Sequence, residues 1–139
     1  MHEEILKELF KQYFNEDCTT IIQLPQAGSD RIYFRLMSAA NAAIGTYGKD
    51  TKENETFIHH TKHFHQKFIT VPQVYIASDD KQYYLQQDLG DTSLYSIIKS
   101  EGITENVKKH LKEVLQQLSY LQIRGAEHFN FATCYPIQE

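Results

Sequence analysis

The chain has 139 residues, and its 14 Lys and Arg against 18 Asp and Glu give a formal net charge of −4 at pH 7. Hydrophobic residues make up 41% and charged residues 23%, which is the composition of a globular domain and not of a disordered chain. The mild negative charge argues against nucleic-acid binding, which needs a clustered basic face. No apolar run approaches the roughly 18 residues of a membrane span, and two cysteines are too few for a disulfide framework or a four-cysteine zinc site. We therefore expect a soluble, cytoplasmic protein with no nucleic-acid or membrane partner.

The hydrophobic pattern predicts strands and helices in chain order. A helix is predicted over residues 3–14, where apolar side chains recur at helical spacing behind two acids. The further predicted elements are strands at 19–24, 31–36, 41–47, 74–77 and 83–87, and helices at 52–67, 93–100 and from an N-cap at Thr104 to Gly125. Two hairpins and one strand between them predict an α+β fold, with a five-stranded, mostly antiparallel sheet and a helix packed on one face.

The strand at 31–36 alternates between apolar and polar side chains. Ile32, Phe34 and Leu36 fall on one side and Arg31, Tyr33 and Arg35 on the other, so one face is expected to be buried.

The first candidate site is the turn that precedes this strand, Ala27-Gly28-Ser29-Asp30-Arg31. A glycine turn between strands can aim backbone N–H groups at phosphate oxygens, and the side chains of Ser29 and Arg31 add donors. A single glycine in a hairpin is more commonly only a turn, so both interpretations stay open.

The second candidate is Glu53, near the start of the helix at 52–67. It shares a helix face with Phe57, His60 and Phe64, which predicts that it points toward the sheet and needs a cationic partner there. The alternative is a first-turn acid that only satisfies the helix dipole. The apolar side of this helix is predicted to continue to Phe68.

Two further patterns are weaker. His59 and His63 have the spacing of metal ligands on a helix, but no Glu follows the first His, which favours a solvated helix face. The loop 87–91, QDLGD, follows an apolar strand, and its backbone is a candidate to hydrogen-bond an adenine. A metal-binding DFG interpretation fails because no catalytic-loop His-x-Asp precedes it, and a plain loop remains the alternative.

The order of these features is more specific than any one of them. The stretches LPQAGSDRIYFRL, VPQVY and YYLQQDLGDTSL resemble the N-terminal lobe of the aminoglycoside phosphotransferase and choline kinase-like superfamily. They look most like the bacterial kinases of cell-wall amino sugars such as N-acetylmuramate. The resemblance spans roughly residues 19–135 and implies a single protein-kinase-like N-terminal lobe over 1–139. Its parts would be an N-terminal helix at 1–17, the sheet, helix and hinge at 18–91, and the helical start of the C-terminal lobe at 92–139.

The resemblance also implies residue roles. The loop over the ATP phosphates would be formed by Gly28, Ser29, Asp30 and Arg31, and Glu53 would orient the phosphate-binding lysine. The hinge at the adenine edge would be Gln87, Asp88 and Leu89, with Leu24, Tyr33 and Ala43 walling the base pocket. The sequence departs from the family at 42–45, AAIG, where such kinases carry Val-Ala-Ile-Lys. Gly45 thus takes the lysine position, and Lys49 or Arg35 is the candidate substitute.

The catalytic base and metal-binding Asp of this family lie in a C-terminal lobe, and no such segment follows the helix at 104–124. The resemblance therefore implies a parent sugar or amino-sugar kinase that uses ATP with Mg²⁺, while this chain alone, without catalytic residues or metal ligands, is expected to be inactive. The alternative is a non-catalytic, pseudokinase-like module that binds nucleotide or a partner protein. The apolar stripe from Val107 to Leu121 is expected to pack on the C-terminal lobe or to form a dimer through helix 104–124.

Overall fold

The computed structural model describes residues 1–26 and 28–135, so Ala27 of the predicted turn and residues 136–139 lie outside the described residues. Within them the protein is an α+β fold with a five-stranded antiparallel sheet and four α-helices. The strands are β1 (Thr20–Gln23), β2 (Ile32–Met37), β3 (Ala42–Tyr47), β4 (Val74–Ala77) and β5 (Tyr83–Gln87). The helices are α1 (His2–Phe14), α2 (Thr51–Gln66), α3 (Leu94–Glu101) and α4 (Glu105–Ile123).

The five strands pair in the order β1-β2-β3-β5-β4, and all four pairings are antiparallel among the residues that the structure describes. The predicted strands and helices are confirmed, with bounds that agree to within two residues, because each rests on a local periodicity. The fold therefore follows the expected class, with β5 inserted between β3 and β4.

The described residues group into two compact units. The first contains residues 1–62, 72–88 and the segment from Asn130 on, and it holds α1 and the whole sheet. The second contains residues 63–71 and 89–129, and it holds α3 and α4.

Helix α1 covers one face of the sheet, which we call the core face. Leu6 and Phe10 of α1 are fully buried there. The sheet side chains buried with them are Phe34, Leu36, Ala43, Tyr83 and Leu85. The alternation predicted for β2 is confirmed, because Phe34 and Leu36 enter this core. By the same alternation Tyr33 and Arg35 lie on the opposite face, which we call the polar face.

Gly45 of β3 lies on the core face, against α1. A methyl group at this position would come within 2.7 Å of Leu36 Cδ1 and 2.9 Å of Leu6 Cδ2. A lysine at residue 45 would therefore point into the core. The side chain of Thr46, the next residue along β3, lies on the polar face instead.

We expect Gly45→Ala to lower the free energy of unfolding by about 1–3 kcal/mol, the usual cost of overpacking a core. The loss should be smaller in a Leu6→Val background, since valine lacks the Cδ atoms that the new methyl group would meet. Urea unfolding of the four proteins measures this coupling. Equal losses in both backgrounds would contradict the contact between Gly45 and α1.

On the polar face Tyr84 is 1% exposed. It pairs with Thr46 across β5 and β3, and its ring lies 5.4 Å from that of Phe57 on α2. Burial raises the pKa of the Tyr84 hydroxyl to about 12, although the nearby Arg31 guanidinium opposes the shift.

The raised pKa makes stability depend on pH in the alkaline range. Folded Tyr84 keeps its proton up to about pH 12 and an unfolded tyrosine only to about pH 10, so its contribution is complete below pH 10 and is lost as the pH rises toward 12. Over that interval we expect the unfolding free energy of the wild type to fall by about 2–3 kcal/mol more than that of Tyr84→Phe. Urea unfolding on both sides of pH 10 measures the difference, and parallel curves would contradict it.

In the second unit Thr104 is confirmed as the N-cap of α4, because its Oγ1 accepts a hydrogen bond from the Val107 N–H at 3.2 Å. Val107 is buried, but the rest of the apolar stripe is largely exposed: Leu111, Val114, Leu115 and Leu118 have between 37% and 64% of their surface accessible. Self-association through this helix stays a prediction. In the part of the chain that the structure describes, no helix has both the length and the apolarity to cross a membrane.

Candidate functional site

The glycine turn before β2 is held by its own hydrogen bonds. Gly28 has a φ of 63°, the left-handed conformation that glycine adopts without strain. Ser29 Oγ accepts a hydrogen bond from the backbone N–H of Arg31 at 3.2 Å, and Gln26 Nε2 donates to the Ser29 carbonyl at 3.2 Å. The turn therefore directs Arg31 to the polar face, while the Ser29 hydroxyl can still donate its proton to a bound anion.

Arg31 meets the carboxylate of the second candidate, Glu53. Arg31 Nη2 lies 3.1 Å from Glu53 Oε1, and the arginine side chain is only 14% exposed, against 50% for Glu53. The guanidinium also lies 5.6 Å from the centre of the Phe57 ring. The cationic partner expected for Glu53 is thus present, but it is Arg31 rather than Lys49 or Arg35.

The start of α2 is fixed by two side chains. Asp50 Oδ1 accepts the N–H of Glu53 at 3.1 Å, as an N-cap does. Asn54 is completely buried, and its Nδ2 donates to the carbonyls of Gly48 and Lys81, both at 2.8 Å. A side chain on Gly48 would overlap Asn54, which explains the glycine there. These bonds hold Glu53 opposite the glycine turn.

An open pocket of about 610 Å³ lies between the turn, the end of β3 and the start of α2. It is lined by Ser29, Asp30, Arg31, Tyr47, Gly48, Lys49, Asp50 and Glu53. Three of the predicted loop residues therefore share one pocket with Glu53. Lys49 also lines it, so the pocket carries two cations and three carboxylates.

The loop after β5 is tied to the sheet. The backbone N–H of Gln87 donates to the Gln73 carbonyl at 2.8 Å, so this donor is not available to a base. Arg35 Nε donates to Asp88 Oδ2 at 2.6 Å, and Arg35 Nη2 donates to Asp88 Oδ1 at 3.1 Å. Leu89 is 67% exposed and belongs to the second unit.

The expected walls of the base pocket fall on different faces of the sheet. Ala43 is fully buried on the core face with Leu36, whereas Tyr33 pairs with Thr46 on the polar face. These two residues cannot line one pocket, which corrects the joint role expected for them. The resemblance concerns residue types along β3 and does not specify which face of the sheet each residue occupies. Leu24 is half-buried just beyond β1, where its N–H donates to the Tyr33 carbonyl at 2.8 Å.

The histidines of α2 contact protein groups. His63 Nε2 donates to the Gly125 carbonyl at 2.8 Å, and His60 Nε2 is hydrogen-bonded to Thr133 Oγ1 at 3.3 Å. No group of three His, Cys, Asp or Glu side chains that could hold a metal ion occurs among residues 1–26 and 28–135. The expected apolar side of α2 ends early, because the helix stops at Gln66 and Phe68 is 88% exposed with a φ of 58°.

Sequence reasoning missed two features of this site: the buried amide of Asn54 and the ion pair between Arg35 and Asp88. An asparagine on a predicted helix face gives no local signal of the distant carbonyls it will meet. A scan of protein-family models finds no match to the chain, and no curated protein matches it significantly. The functional argument therefore rests on the geometry of the site.

The facing of α2 can be tested through Phe57 of the helix and the exposed Phe68 that follows it. Phe57 is half-buried between Arg31 and Tyr84, so we expect Phe57→Ala to lower the unfolding free energy by about 2–3 kcal/mol. Phe68→Ala is the matched control, and because Phe68 is exposed its effect should stay within about 0.5 kcal/mol. Urea denaturation measures the unfolding free energy of both variants. Equal losses of unfolding free energy would contradict the orientation of the helix.

Proposed function

We propose that the first unit binds ATP, as a complex with Mg²⁺, at the pocket beside Arg31. On this proposal the chain is the N-terminal, kinase-like part of a small-molecule phosphotransferase whose acceptor is a sugar or amino sugar. The proposal assigns no catalytic base and no protein ligand for Mg²⁺ to residues 1–139.

The observation that carries the proposal is the ion pair between Arg31 and Glu53. A half-exposed pair of this kind contributes little to stability, because solvent screens it and ordering two long side chains costs entropy. What the pair does is hold the guanidinium in one direction, at the edge of the pocket. A planar, oriented guanidinium is well suited to bind phosphate oxygens. Arg31 with Glu53 would then replace the lysine and glutamate of related kinases.

The charge of the pocket supports a metal-bound phosphate chain over a free one. Arg31 and Lys49 face three carboxylates across the same pocket, which leaves one negative charge in excess. A bare triphosphate would be repelled by these carboxylates, and a divalent cation would offset that repulsion. We therefore expect binding of ATP to weaken strongly when Mg²⁺ is removed with a chelator.

The arrangement of elements supports a kinase-like lobe. The helix that follows β3 carries the carboxylate, the glycine turn lies between β1 and β2, and the loop after β5 leaves the same sheet. This order brings Ser29 and Arg31 of the turn and Glu53 of α2 to one pocket.

The second candidate function is a pseudokinase-like module that binds nucleotide or a partner protein without catalysis. It is favoured by residue 45, which faces the core and supplies no phosphate-binding lysine. Transfer of the ATP γ-phosphate to an amino sugar, measured on the whole protein that the gene encodes, separates the two candidates.

Calorimetric titration with MgATP tests the proposed binding. We expect Arg31→Ala to weaken binding at least about tenfold, the loss of one charge-assisted contact, and Glu53→Gln to weaken it less because the arginine remains. Since Arg31 is largely buried beside Phe57, a thermal melt of each variant must accompany the titration.

Arg124→Ala is the matched control, because Arg124 also lies over an aromatic ring, 4.2 Å from the centre of Tyr120, but in the second unit. It should bind MgATP like the wild type. If the wild type does not bind MgATP, the proposed function is wrong. If Arg31→Ala binds as tightly as the wild type, Arg31 is not part of the site.

A further inference from the structure

Arg35 of β2 is held by a carboxylate, as is Arg31, which directly precedes the strand. Arg35 lies on the polar face. Its Nε and Nη2 atoms donate hydrogen bonds to the two carboxylate oxygens of Asp88, at 2.6 and 3.1 Å. Both side chains are mostly withdrawn from water, with 17% of Arg35 and 12% of Asp88 exposed. Since β3 separates β2 from β5 in the sheet, Arg35 reaches across β3 to the residue that directly follows β5.

The ion pair between Arg35 and Asp88 orients the two side chains more than it stabilises the fold. Removing two charges from water costs about as much as their attraction returns, so an apolar pair of similar size would be at least as stable. A two-pronged contact, however, fixes both the plane of the guanidinium and the position of the carboxylate. The pair therefore fixes where the chain leaves the sheet after Gln87.

The two ion-paired arginines, Arg31 and Arg35, are separated by a fixed distance along the direction of β2. Arg31 and Arg35 point to the same face and are four residues apart, which is about 13 Å along a strand. Tyr33 lies between them on that face. Arg31 places a cation beside the open pocket, and Arg35 places an oriented, planar guanidinium next to the end of β5. A ligand with an anionic end and a planar aromatic end fits this spacing.

We propose that Arg35 is a positioning residue for the planar end of the ligand, the base of a nucleotide whose phosphates lie at Arg31. Through its two-pronged contact with Asp88 it fixes the backbone that follows β5, beside which the base would lie. The inference rests on the proposed function, because it assumes that the phosphates bind at Arg31.

The test compares two probes, MgATP and Mg-tripolyphosphate, the second of which has phosphates but no base. Arg35→Lys keeps the positive charge but loses the two-pronged contact, and Asp88→Asn weakens the pair from its other side. We expect each variant to bind MgATP at least about tenfold more weakly while its affinity for Mg-tripolyphosphate stays within about twofold of the wild type. Arg31→Ala should weaken both probes, and Arg124→Ala neither.

Thermal melts of Arg35→Lys and Asp88→Asn identify any general loss of structure. Equal loss of both probes, or unchanged binding of MgATP, would show that the pair does not position the base. If the wild type binds neither MgATP nor Mg-tripolyphosphate, the proposed function is wrong, and this inference is wrong with it. Binding of both probes by the wild type, with no effect of the two variants, would overturn only the role of Arg35.

Discussion

The close packing of α1 on β3 is the constraint on which the rest of the first unit depends. Gly45 has no side chain, so Leu6 and Leu36 close directly over the strand. Successive side chains of a strand alternate between faces, and paired residues of neighbouring strands share a face. One tight contact at Gly45 therefore decides the facing of β2, β3 and β5 together, and it sends Arg31 and Arg35 to the polar face.

Both arginines on that face are held by carboxylates from outside the sheet. Glu53 reaches Arg31 from α2, and Asp88 reaches Arg35 from the loop after β5. The cost of withdrawing these charges from water offsets most of their attraction, so neither pair is a main source of stability. Their common effect is to give two flexible cationic side chains fixed directions on a rigid sheet, which is what recognition of an extended ligand requires.

The strands and helices follow from local patterns, and so does the alternation of β2. The facing of α2 follows only in part. Glu53 and Phe57 do share a side, but the residue buried at the start of the helix is Asn54, because the carbonyls of Gly48 and Lys81 bind its amide. The expected joint role of Tyr33 and Ala43 fails for a similar reason: sequence similarity aligns residues along a strand without saying which face α1 will cover.

The sequence by itself determined the elements, their order, the glycine turn and the need of Glu53 for a cationic partner. Only the tertiary structure decided that the cationic partner of Glu53 is Arg31. It also decided that Arg35 forms an ion pair with Asp88, 53 residues further along the chain. The physical reason is the strand order. β5 lies next to β3 and not at the edge, and this places the loop after β5 within reach of β2. No local periodicity encodes that long-range pairing.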